Sequence, residues 1–82
     1  MADIMLEAIR RLVAPHRLDV VPVRRANSSA TSIRVSARIP GEQGYFINHD
    51  FQRGIYMGDS VKRWLASNYV KGKLATLEEL RP

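Results

Sequence analysis

Apolar and polar residues alternate without a break between positions 32 and 39. Because a strand has a side-chain period of two, alternate residues of this segment lie on opposite faces of a sheet. The set predicted to face the core consists of Ile33, Val35, Ala37 and Ile39. The set predicted to face outward consists of Ser32, Arg34, Ser36 and Arg38. The pattern therefore predicts a half-buried strand with two arginines on its exposed side.

Strands are also predicted before and after this segment. Residues Leu18–Arg25 are rich in β-branched side chains, and Pro22 within them cannot donate a ladder hydrogen bond, so they are predicted to form an edge strand. A polar loop is predicted over 26–31 and a proline- and glycine-rich turn over 40–44. A third strand is predicted over Tyr45–Phe51.

A helix is predicted at the start of the chain. Apolar residues recur at helical spacing between Asp3 and Ala14, Asp3 is a suitable N-cap, and Pro15 would stop the helix. Residues Ile55–Met57, beyond the third strand, are predicted to form either a short fourth strand or an extended run into the next element.

A second helix is predicted from a cap at Asp59 to a C-terminal cap at Gly72. Its apolar face would be formed by Val61, Trp64, Leu65 and Tyr69. The capping-box spacing of Thr76 and Glu79 predicts one further turn that runs to Leu80.

The order of these elements, α-β-β-β-α, predicts an α+β fold of two layers. Its antiparallel sheet would have three or four strands, and both helices would pack on one face of it. The chain of 82 residues is predicted to be a single domain, because no repeat or dividing linker is visible. We expect it to be a monomer or a homodimer.

Composition restricts the classes of function. The chain has no cysteine, so disulfides and thiolate metal sites are excluded. No apolar run approaches the roughly 18 residues that span a bilayer, and the N-terminal residues lack a signal-peptide pattern, so we expect a cytoplasmic protein without a membrane partner.

Charge favours an anionic partner. There are 13 Lys and Arg residues against 8 Asp and Glu, a net charge of +5. Ten of the 13 basic residues are arginine, whose planar fork suits contacts with phosphate or carboxylate. The partner is therefore predicted to be nucleic acid or the acidic surface of a protein or nucleoprotein complex.

The predicted pairing of the first two strands concentrates this charge. A register that keeps apolar residues opposite each other places Val23 across from Val35, which sets Arg24 opposite Arg34, with Arg38 further along the same face. Tyr45 would either join these arginines or enter the core together with Ile47. The predicted binding surface consists of Arg24, Arg25, Arg34, Arg38, Tyr45, Arg53, Lys62 and Arg63.

Catalysis has little support in the sequence. His49 and Asp50 form the only compact pair with the chemistry of general acid–base catalysis, and His16 is predicted to lie in a connector. We therefore expect no catalytic residues, no metal site and no cofactor, with a small ribonuclease that uses His49 as the least favoured alternative.

The function predicted from the sequence is that of a non-enzymatic binding module with an arginine-rich sheet face. An alternative from another class is a small inhibitor encoded by a phage or mobile element, comparable in size and composition to anti-CRISPR proteins, that blocks a host complex by occlusion. Direct binding to nucleic acid would weaken steeply with salt, whereas an inhibitor would form a stoichiometric complex with a protein.

Overall fold

A computed structural model of the chain describes residues 3–24 and 31–81. These residues form an α+β fold in which one helix, a three-stranded antiparallel sheet and two further helices follow one another. The elements are α1 (Ile4–Val13), a 3₁₀ turn (Ala14–His16), β1 (Asp19–Arg24), β2 (Thr31–Ala37), β3 (Ile47–Gln52), α2 (Met57–Ala66) and α3 (Asn68–Leu80). The predicted fold class is confirmed, and the helices pack against the sheet.

The first helix forms as its sequence predicts. The Asp3 carboxylate accepts a hydrogen bond from the backbone N–H of Leu6 at 3.0 Å, which satisfies one of the free donors at the helix start. Leu6, Ile9 and Val13 are the buried positions of α1, at the spacing of one helix face. Pro15 lies just after the helix, in the 3₁₀ turn.

The sheet has the strand order β1-β2-β3, so the predicted edge position of the Pro22 strand is confirmed. The alternating segment is the central strand, and Ile33, Val35 and Ala37 are buried as predicted. These side chains share one hydrophobic core with residues of all three helices. The opposite face of the sheet lies outside that core.

The predicted pairing of β1 with β2 is wrong. Val20, not Val23, lies opposite Val35, and Val21 lies opposite Arg34. The shift is three residues, and because this number is odd it exchanges the two faces of β1. The core therefore receives Val20, whereas Val21 is 44% exposed.

The predicted second helix is two helices. The first, α2, begins at Met57 rather than at Asp59, so Ile55–Met57 is not a strand, and it ends at Ala66. Ser67 then adopts an extended backbone with ψ 146°, and its hydroxyl accepts from the N–H of Val70 at 3.3 Å. Ser67 is therefore the N-cap of α3.

This break corrects three predictions about the last part of the chain. Tyr69 belongs to α3 and is 71% exposed, so it is not on the apolar face of Trp64. Gly72 and Thr76 lie inside α3 and do not mark helix ends. The predicted end at Leu80 is confirmed.

Candidate functional site

One face of the sheet points away from the helices, and we call it the open face. Strand pairing assigns to it the side chains of Asp19, Val21, Val23, Ser32, Arg34, Ser36, Asn48, Asp50 and Gln52. The part formed by β2 and β3 consists of polar residues in direct cross-strand pairs. These pairs are Ser32 with Gln52, Arg34 with Asp50, and Ser36 with Asn48.

Arg34 forms a two-point ion pair with Asp50 at the centre of the open face. Its Nε lies 2.8 Å from one carboxylate oxygen and its Nη2 lies 3.1 Å from the other. The hydrogen bonds to Asp50 raise the pKa of the Arg34 guanidinium above its ordinary value. Arg34 is thus a charged group that is already neutralised and held in a fixed orientation.

Arg38 and Tyr45 lie together at one end of the open face. The Arg38 guanidinium carbon is 4.5 Å from the centre of the Tyr45 ring, a cation–π distance. Arg34 Nη1 donates to the Tyr45 hydroxyl at 3.4 Å. The guanidinium groups of Arg38 and then Arg34 lower the pKa of the Tyr45 phenol. Tyr45 remains 41% exposed.

The loop between β2 and β3 brings these two side chains together. Gly41 and Gly44 have φ values of +84° and +82°, in the left-handed region that glycine adopts without strain. The N–H of Phe46 then donates to the carbonyl of Ala37 at 2.9 Å and closes the loop. Because β3 begins only at Ile47, Tyr45 lies outside the strand and need not face the same side as Ile47. Ile47 is buried in the core, whereas Tyr45 is exposed.

The structure places four other predicted binding residues away from Arg38 and Tyr45. Arg24 has Thr31 as its partner, which puts it on the face opposite to Arg34, because of the corrected register. Arg53 forms an ion pair with Asp3 at 2.6 Å. Lys62 and Arg63 are exposed on α2, and Arg25 lies outside the described residues.

A second cluster joins one lysine to two aromatic rings, and the sequence pattern did not predict it. Lys73 Nζ lies 4.3 Å from the centre of the Phe46 ring and 5.8 Å from that of Tyr69. It also donates to the backbone carbonyl of Phe46 at 3.3 Å. The i, i+4 spacing of Tyr69 and Lys73 signals such a contact once both are known to lie on one helix.

His49 and Asp50 do not act as a pair. They are neighbours in β3, so their side chains point to opposite faces. The His49 ring lies on the helix side, 4.3 Å from the centre of the Phe51 ring and 5.8 Å from that of Trp64. The Asp50 carboxylate lies on the open face against Arg34.

A groove of about 360 Å³ runs between the outer edge of β3 and α2. Four consecutive residues of β3, from His49 to Gln52, form one wall. Ser60, Arg63 and Trp64 form the other. Arg63 is exposed and has no salt bridge within residues 3–24 and 31–81.

Within the described parts of the chain, no three histidine or acidic residues are grouped so that they could hold a metal ion. None of the described helices has the length and apolar character that a membrane span requires. No family model, curated protein or solved structure matches the chain.

Proposed function

We propose that this protein is a non-enzymatic binding module that engages nucleic acid through the open face of its sheet. The observation that supports this most is the contact of Arg38 with the half-exposed ring of Tyr45, beside Arg34. A cation next to an accessible aromatic ring offers one group for a phosphate and another for a base or sugar.

The distribution of ion pairs supports an anionic partner. Asp3, Glu7, Asp50 and Glu78 are each tied to an arginine. Arg38 is exposed and has no carboxylate partner in the described part of the chain. Arg38 therefore offers a phosphate a positive charge that no described carboxylate compensates.

The polar pairs of β2 and β3 support nucleic acid over an arbitrary anion. Side-chain amides such as those of Asn48 and Gln52 both donate and accept, which matches the edge of adenine, and both residues are exposed. In this proposal Arg38 and Tyr45 position the backbone, and the exposed amides of Asn48 and Gln52 meet the bases.

The test is fluorescence anisotropy with a labelled mixed-sequence duplex and a labelled oligothymidine, each titrated at several salt concentrations. We expect Arg38→Glu to weaken binding about tenfold or more, because it replaces an attraction to phosphate by a repulsion. The matched control is Arg11→Glu, the same charge change at an exposed position of α1, on the other side of the sheet.

Three outcomes would contradict the proposal. The first is no binding of either oligonucleotide at micromolar protein, and the second is an equal loss in Arg38→Glu and Arg11→Glu, which would indicate a response to net charge alone. The third is a tight stoichiometric complex with a protein that is unaffected by oligonucleotide competitor. That result would favour the inhibitor alternative.

A further inference from the structure

We infer that the groove between β3 and α2 binds an extended acidic peptide segment, which adds to the sheet as a fourth strand. This site shares Asp50 and Gln52 with the open face but lies at the outer edge of β3, and the inference does not depend on the proposed binding of nucleic acid. It rests on a strand edge beside which the described residues place no other strand, on a helix next to that edge, and on an arginine in the groove that pairs with no described carboxylate.

The outer edge of β3 is available for pairing. β2 lies on one side of β3, and no strand of the described residues lies on the other. In an antiparallel strand, every second residue directs both its N–H and its C=O to the same side, so β3 has a row of such groups facing the groove. Lys73 donates to the carbonyl of Phe46, immediately before β3, and so occupies the edge there.

The two edges of the sheet differ in their protection. β1 contains Pro22, which has no N–H and therefore resists the addition of another strand. β3 contains neither proline nor lysine, the residues that most often block an edge. Its one acidic side chain, Asp50, is held by Arg34 on the open face and does not provide such a block.

The helix beside β3 makes this edge a groove instead of a bare strand. Its volume of about 360 Å³ lies within the usual range of ligand sites, roughly 300–1,000 Å³. Four residues of edge correspond to about 13 Å of extended chain at about 3.3 Å per residue. Peptides that add a strand to a sheet gain affinity from backbone hydrogen bonds and specificity from side-chain contacts of this kind.

Charge determines which segment fits. Arg63 lines the groove, is exposed, and has no acidic partner within residues 3–24 and 31–81. Ser60 and Trp64 lie on the same wall. The one acidic residue of the lining is Asp50, and its carboxylate is paired with Arg34. An aspartate or glutamate on the helix side of the bound strand would therefore pair with Arg63.

The experiment is an NMR titration of the ¹⁵N-labelled protein with a capped hexapeptide that alternates valine with glutamate. We expect saturable shift changes confined to 47–52 and 60–64, with slower amide exchange at alternate residues of β3. A peptide that alternates valine with lysine serves as the charge control and should bind about tenfold more weakly or worse.

Two variants of α2 separate the groove from general charge. Arg63→Glu should weaken binding of the acidic peptide about tenfold or more and strengthen binding of the basic peptide, because it reverses the charge at this position of the groove. Lys62→Glu is the matched control, since it is the same charge change at the neighbouring exposed residue, which does not line the groove. It should change the affinity by less than about twofold.

Four results would overturn the inference. They are no saturable binding of the acidic peptide at millimolar concentration, an equal loss in both variants, a dimer of the free protein that protects the same β3 amides, and an oligonucleotide that displaces the peptide only while Arg63 is present. The last two would assign the groove to a second copy or to nucleic acid. Arg38→Glu should leave peptide binding intact. A failure of the proposed nucleic-acid binding is therefore distinguishable from a failure of this inference.

Discussion

Arg53, which directly follows β3, holds the carboxylate of Asp3 at the start of α1 through hydrogen bonds of 2.6 and 3.1 Å. The same carboxylate caps α1 by accepting from the N–H of Leu6. One acidic group thus fixes the helix start and fastens it to the far end of the sheet. The Arg53 hydrogen bonds, with that of Leu6, lower the pKa of Asp3 to about 2.

The low pKa of Asp3 predicts an acid-dependent loss of stability. An unfolded aspartate has a pKa of about 3.9, so the contribution of Asp3 is complete above that value and is lost as the pH falls toward 2. Arg53→Met should bring the pKa of Asp3 back toward its ordinary value. The free energy of unfolding should then change less with pH in this range. Urea unfolding between pH 2 and 6 would measure it.

The control for this prediction is Arg10→Met. Arg10 also pairs with a carboxylate, that of Glu7 at 2.6 Å, but both side chains are about half exposed. An exposed pair of this kind contributes little. If Arg10→Met and Arg53→Met change the pH profile equally, the ion pair of Asp3 is not the cause.

The break between α2 and α3 predicts that the N-cap at Ser67 contributes measurably to the stability of the fold. Ser67→Ala removes the hydroxyl that accepts from Val70, and we expect the free energy of unfolding to fall by about 1 kcal/mol. Ser60→Ala, inside α2, is the control and should be neutral or slightly stabilising because alanine favours a helix interior. Chemical denaturation would show the difference, and a gain in stability for Ser67→Ala would contradict the assignment.

The register of β1 predicts opposite results for two neighbouring valines. Val20→Thr places a hydroxyl in the core and should cost about 1–3 kcal/mol. Val21→Thr places it on the open face, where Val21 is 44% exposed, and should stay within about 0.5 kcal/mol. Equal costs would contradict the observed register, and the reverse order would favour the register in which Val23 faces Val35.

The contact of Arg38 with Tyr45 predicts a change in a phenol titration. A guanidinium beside the ring stabilises the phenolate, so Arg38→Gln should raise the pKa of Tyr45 toward its ordinary value of about 10. Phenolate absorbance would report this once Tyr56 and Tyr69, the other two tyrosines of the chain, are replaced by phenylalanine. An unchanged titration would show that the two side chains do not meet in solution.

The parts of the fold that the sequence predicted correctly are those where several signals agree. In α1 the cap at Asp3, the apolar stripe and Pro15 all indicate the same helix. In β2 the alternation is unbroken, so only one face could enter the core. Pro22 alone was enough to place β1 at an edge.

The errors arose where the pattern allows two solutions. Apolar residues occur at both even and odd positions in and just before β1. Alternation alone therefore does not select between the pair Leu18 and Val20 and the pair Val21 and Val23. The apolar spacing of Val61 and Trp64 continues to Tyr69, which hides the break at Ser67. Arg38 meets Tyr45 because of the path of the loop between β2 and β3, and no periodic pattern describes a loop.

Pro22 has a consequence for assembly. A sheet that accepts a new strand at each edge can grow without limit, which is the route to fibres. Here β1 lacks a donor at Pro22, and β3 is the edge that remains. Two chains joined through β3 would leave a proline-containing strand at each outer edge of the combined sheet. Growth by strand pairing would therefore end at the dimer.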